Sequence, residues 1–163
     1  MAAAVAVLVA AAVFAGWGGF SWFTASRAEA VTYGTARDEA LQTGRELVAR
    51  LSSLDYHQVD QGIARWLDAS TGPLHDQLAR TDDATKKTLA ADAAVSTGKV
   101  LDAALSELDE HAGTAKMLAS VEITVAKDKV APATKRNRFA AQLTRTEAGW
   151  KLSALDQIPV GAA

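Results

Sequence analysis

In Lys116-Met117-Leu118-Ala119-Ser120-Val121-Glu122-Ile123-Thr124-Val125-Ala126-Lys127, the residues Met117, Ala119, Val121, Ile123 and Val125 share one parity. Leu118, Ser120, Glu122, Thr124 and Ala126 share the other. Successive side chains of a strand point to opposite faces, so this alternation predicts a half-buried strand. Two further alternating runs follow, Arg138 to Thr146 (Phe139, Ala141, Leu143) and Trp150 to Leu155 (Trp150, Leu152). Glu147-Ala148-Gly149 separates them, a short connection with a glycine, and the three runs read as an antiparallel meander. Upstream, Val100, Leu101, Ala104, Leu105 and Leu108 recur at helical steps, so periodicity alone makes Ser96 to Leu108 a helix.

The region before the meander is helical in pattern. Between Thr35 and Leu54, Ala36, Ala40, Leu41, Leu47, Val48, Leu51 and Leu54 recur every three or four residues with charges between them. Asp55 reads as an N-cap with Gln58 three residues on, the spacing of a capping box, and Val59, Ile63, Trp66 and Leu67 form the next apolar stripe. Tyr56 reads as a buried ring and Trp66 as core. At Ser70-Thr71-Gly72-Pro73 that helix ends, Gly72 tolerating a left-handed turn and Pro73 suiting a first helical turn. A third helix carries Leu74, Leu78, Leu89 and Ala93, with a break near Thr81-Asp82-Asp83. Helices followed by a run of strands predict an α+β domain, with the helices packed on one face of an antiparallel sheet and Trp150 anchoring the last strand against them.

Ahead of the domain, Ala2 to Phe23 is 22 residues without a charge, whereas all 36 charged residues lie between Arg27 and Asp156. A helix of that length rises about 33 Å, enough to cross the ~30 Å hydrocarbon layer. Residues 1–26 are therefore read as a transmembrane anchor and 27–163 as the domain. Trp17, Phe20, Trp22 and Phe23 sit at headgroup level, followed by Arg27. A competing reading, a signal peptide cleaved at Ala28-Glu29-Ala30, lacks the basic n-region such peptides carry. Arg27 and Arg37 follow the span and no basic residue precedes it, so the positive-inside rule taken alone leaves the domain in the cytoplasm.

The 163 residues carry a net charge of −2 and no cysteine. That excludes a disulfide framework, a Cys-ligated zinc site and thiol catalysis. A pI near 5.9 argues against duplex nucleic acid as a partner. His57, His75 and His111 share no helical spacing, and no phosphate-loop, dinucleotide, nucleophile-elbow or zincin motif is present. No catalytic, cofactor or metal residue is assigned. The candidate interaction residues are Lys127, Lys129, Lys135, Arg136 and Arg138, set against the single acid Asp128, with Pro132 marking a loop. Such a loop suits anionic headgroups or an acidic partner, and equally a solvated hairpin tip guarded against edge pairing.

The N-terminal span, the succession Leu51-Ser52-Ser53-Leu54-Asp55-Tyr56, Val59-Asp60, Leu67-Asp68 and Ser70-Thr71-Gly72, and the closing Gly149-Trp150-Lys151-Leu152 resemble the actinobacterial Mce-associated membrane proteins. The 36 alanines fit such a high-GC source. The resemblance implies a single-pass membrane protein with an extracytoplasmic domain of cystatin-like cone shape, in which Ser96 to Leu108 is the first strand. It also implies an accessory or stabilising role in an Mce lipid-import complex, with no catalytic residues to carry over. On orientation the resemblance is preferred to the two-charge bias, with the expectation that the reading frame extends upstream of Met1 into a segment rich in Lys and Arg. Two alternatives share the fold: an assembly factor of type IV secretion or conjugation, and a small-molecule binder or enzyme using the cone cavity. The expectation for that cavity is an apolar interior lined by Trp66, Leu67, Phe139 and Trp150.

Overall fold

The computed structural model describes residues 31–127 and 130–159, and the anchor read over residues 1–26 lies outside them. Among the described residues no helix is long and apolar enough to cross a membrane. Of the described residues, 31–36 are helical and belong to one unit, and those from Arg37 onward belong to a second.

In the second unit, α1 (residues 37–51) leads into β1 (Leu54–Asp55), a 3-10 turn (Tyr56–Gln58), α2 (Val59–Ala69), α3 (Gly72–Ala79) and α4 (Asp83–Ala91). Four long strands follow: β2 (Ala94–Asp109), β3 (Thr114–Lys127), β4 (Val130–Thr146) and β5 (Gly149–Ile158). They form one antiparallel sheet in the order β1-β2-β3-β4-β5. The α+β architecture and the meander agree with the sequence reading.

The core lies between the helices and one sheet face. Ala115, Met117, Ala119 and Val121 of β3 are buried, as are Ala141 and Leu143 of β4, Trp150 and Leu152 of β5, and Ala40, Leu47 and Val48 of α1. Gly44 lets α1 lie close over the sheet, since a Cβ there would stand 3.0 Å from Met117 Sδ and 3.2 Å from Leu143 Cδ2.

Ser96 to Leu108 is strand, not helix, and the reason is physical. Extra residues at Leu101 and Ser106 break the register of β2 against β3. Val100, Ala103, Leu105 and Leu108 consequently face Val121, Ala119, Met117 and Ala115, all on the core side. Each bulge turns a spacing of two into one of three and imitates a helical period. A third bulge at Ser153 does the same between Leu152 and Leu155.

The third helix divides where expected. Asp82 Oδ1 accepts the Thr85 N–H at 2.8 Å, capping α4 separately from α3. Gly72 has a φ of +54° and Pro73 opens α3, as the turn chemistry predicts. The capping box is corrected: Asp55 caps the 3-10 turn through His57, while Gln58 stands at the N-terminus of α2 with no side-chain cap.

Candidate functional site

The segment from Lys127 to Arg138 is not a loop around Pro132. Lys127 pairs with Val130, and β4 is already strand from Val130 onward. Two residues of β4, Ala131 and Pro132, oppose Ala126 alone. Pro132 thus occupies a bulge, on a part of β4 that has β3 on one side and no pairing to β5 before Arg138. A proline, which donates no ladder hydrogen bond, is tolerated at such an edge.

The basic residues divide between the two faces. Arg136 lies opposite Glu122, with Nε 3.4 Å from Oε2, and Arg138 lies opposite Ser120, both on the face turned from the helices. Lys135 lies opposite Ile123, on the other parity. Lys127 Nζ reaches Asp92 Oδ1 at 2.7 Å, and Lys129 is outside the described residues. Lys135 and Arg138 make no ion pair among the described residues.

The residues read as structural have clear work. The indole N–H of Trp66 donates to the carbonyls of Arg50 and Ser53, both at 3.1 Å, and so satisfies the end of α1. Half-buried there, Trp66 ties α2 to α1 rather than lining an interior. Asp55 Oδ1 accepts the His57 backbone N–H at 2.9 Å and lies 2.8 Å from His57 Nδ1, while the Tyr56 ring, half-buried and not buried as read, is tilted 35° against the His57 ring with centroids 3.9 Å apart. Trp150 is buried, Phe139 packs against the core, and Leu67 is half-buried on α2.

Two carboxyls are held below the usual carboxylate range. For Asp55 the cause is the His57 backbone N–H and then its imidazole; for Asp82 it is the Thr85 hydroxyl and then its N–H. A depressed folded-state pKa adds stability above the unfolded pKa, and this is lost as pH falls through the folded value. Asp82→Ala should therefore lower the melting temperature at neutral pH. The gap from wild type should narrow in melts taken below about pH 4, where the unfolded carboxyl titrates. A gap unchanged in acid would show that the charge of Asp82 contributes nothing.

Clefts lie at the surface of the unit. One of about 260 Å³ is lined by Asp102, Ala104, Leu118, Ser120, Arg138 and Ile158. Another, of about 480 Å³, lies between the α2–α3 connection and the β4–β5 turn, lined by Thr71, His75, Glu147 and Lys151. A third, of about 270 Å³, lies beside β1 with Arg50, Asp55, Arg65 and Thr97. Among the described residues no three His, Asp or Glu side chains gather as a metal site. The outer-face cleft was not foreseen, because Leu118 reads as one more apolar residue of a strand, yet it is 49% exposed.

Residues 2–159 match the protein family described as Uncharacterized protein Rv1363c/MT1408-like. Uncharacterized protein Rv1363c of Mycobacterium tuberculosis is 23% identical over 158 residues, which are 95% of this chain and 59% of that protein. The chain thus spans little more than half the length of this relative. Among solved structures, an IcmL-like type IV secretion system protein of Legionella pneumophila superposes with a TM-score of 0.63 at 11% identity, over 78% of this chain and 95% of the other. The periplasmic domain of DotI superposes with a TM-score of 0.59 at 12% identity, over 74% and 93%. At these identities the likeness is one of fold.

Proposed function

The chain belongs to the Rv1363c/MT1408-like family, and we propose that its α+β unit is a non-catalytic, partner-binding domain, tethered to the membrane by residues 1–26 and held outside the cytoplasm. The observation that carries this reading is the filling of the space between helices and sheet. Val48, Met117, Val121, Leu143 and Leu152 are all below 2% exposed there. Enzymes of similar folds use that space for an acid and a base in an apolar pocket. Here apolar side chains fill it, and the clefts described above lie at the surface instead.

The fold likeness to an IcmL-like secretion protein and to the periplasmic domain of DotI supports an assembly role in an envelope-spanning, secretion-type machine. The lipid-import reading rests on the sequence resemblance to Mce-associated proteins, and no feature of the clefts favours it. Co-purification of the tagged full chain from native membranes after mild cross-linking decides between them. Secretion-machine subunits are the expected recovery; Mce subunits in their place would return the protein to lipid import. Protease treatment of intact spheroplasts is expected to digest a C-terminal tag. A tag protected until lysis would place the domain inside and end the extracytoplasmic reading.

A further inference from the structure

Strand β4 outruns its neighbour. β5 ends at Ile158, opposite Arg138, so Val130 to Asn137 has β3 on one side and no paired strand on the other. Val130 to Arg136 are all exposed. Past the bulge at Ala131 and Pro132, Ala133 to Asn137 pair one to one with Val125 to Val121, which leaves five residues of regular strand with an open edge. Alternate residues along such an edge turn their N–H and C=O groups outward, and five residues is a common strand length. Lys135 stands on one face of this edge, opposite Ile123, and Arg136 on the other, opposite Glu122. Residues 127–138 hold five basic residues against one acid, in a chain of net charge −2.

We infer that the open edge of β4 takes an added strand from an acidic partner protein, an extended segment with two adjacent carboxylate residues. This rests on the partner-binding reading above and names the partner's chemistry. Neighbouring residues of a strand point to opposite faces, so two adjacent acids meet Lys135 on one face and Arg136 on the other. The main-chain ladder supplies affinity and the charge pairs supply selection. The same charges bar a second copy of the chain, because edge against edge sets basic residues beside basic residues. The course of α1 argues against an anionic membrane as the occupant. Gly44 lies over Met117 and Leu143, whereas Ser52 lies against Gly98, which pairs with Ile123. The helix thus runs along β3 toward Lys127, and the chain, arriving from the proposed tether, enters the unit at Arg37 toward the opposite end of the sheet. Met117 to Lys127 alone spans roughly 33 Å at ~3.3 Å per residue.

The test titrates the full chain, in neutral detergent, with a fluorescein-labelled peptide of valine and threonine residues carrying a central Glu-Asp pair, followed by anisotropy. Saturable binding is expected, and Lys135→Glu combined with Arg136→Glu should weaken it roughly tenfold by facing like charges. Lys87→Glu, an equal change of charge at an exposed position of α4, should leave binding as it was. A peptide with a Lys-Lys pair in place of the acids should bind the doubly reversed chain more tightly than the wild type, which separates lost pairing from lost folding. N-methylation of the acidic peptide's central amides keeps its charge but removes its ladder donors, and should abolish binding. Equal binding of the methylated peptide would reduce the edge to a charged surface such as lipid headgroups also meet, and would overturn the proposal. Absent binding, or binding indifferent to Lys135 and Arg136, would do the same. The assay needs neither tether nor orientation, so its failure leaves the partner-binding reading to be decided by the co-purification.

Discussion

Trp150→Ala is expected to remove about 3 to 5 kcal/mol of folding free energy, a large part of what a domain of this size holds. Trp150 is 4% exposed at the start of β5, in the same core cluster as Ala69, Leu143 and Leu152. Close by, Thr71 N donates to the Leu152 carbonyl at 2.8 Å, so the α2–α3 connection is stitched to the edge of β5. Truncation would leave a cavity against a backbone held by hydrogen bonds, where little collapse can fill it. Trp150→Phe should cost much less. The indole Nε1 is buried with no hydrogen-bond partner among the described residues, so the phenyl ring sheds an unsatisfied donor along with some area. Denaturant melts of the three proteins check the order. Similar losses for both variants would mean that Nε1 has a partner contributing to the fold.

Gly98→Ala, a gain of one methyl group, is expected to cost about 1 to 3 kcal/mol. A Cβ at Gly98 would stand 2.3 Å from Ser52 Cβ, 3.1 Å from the Ser52 carbonyl oxygen and 3.2 Å from that of Ala49. None of these is a side-chain tip able to swing away, so the end of α1 must lift from β2. The Gly98 N–H, which donates to Ser53 Oγ at 2.9 Å, would be strained with it. Ser52→Gly removes the shortest of these contacts. The double variant should therefore recover part of the loss that Gly98→Ala shows alone, once the cost of Ser52→Gly itself is subtracted. No recovery would place the strain on the backbone carbonyls.

Local chemistry explains what could be read in advance. The alternation of β3, the left-handed turn at Gly72, the break at Asp82 and the two-residue β4–β5 turn before Gly149, with its φ of +96°, depend on neighbours a few residues away. The candidate site was less legible. The run Lys127 to Arg138 shows its charges in sequence, but which face each occupies follows from strand register. Pro132 looked like a loop because a proline excludes a central strand; it is accommodated by an edge and a bulge, neither visible without the partner strand. Trp66 was legible as an apolar residue on a helical stripe. Its use as a cap for α1, 16 residues upstream, required the two helices to be brought together.

The sequence by itself determined the α+β class, the meander, the turns and the core parity of β3, because side-chain period and backbone preference act over a few residues. The tertiary structure alone decided that β2 is a strand despite its helical period, since bulges take their meaning from the strand opposite. It alone placed Asp102, Leu118 and Arg138 together on one face, residues distant in the chain that meet only through register. Pairing across a sheet is a long-range choice, and the apolar residues of one strand do not state which neighbours will cover them.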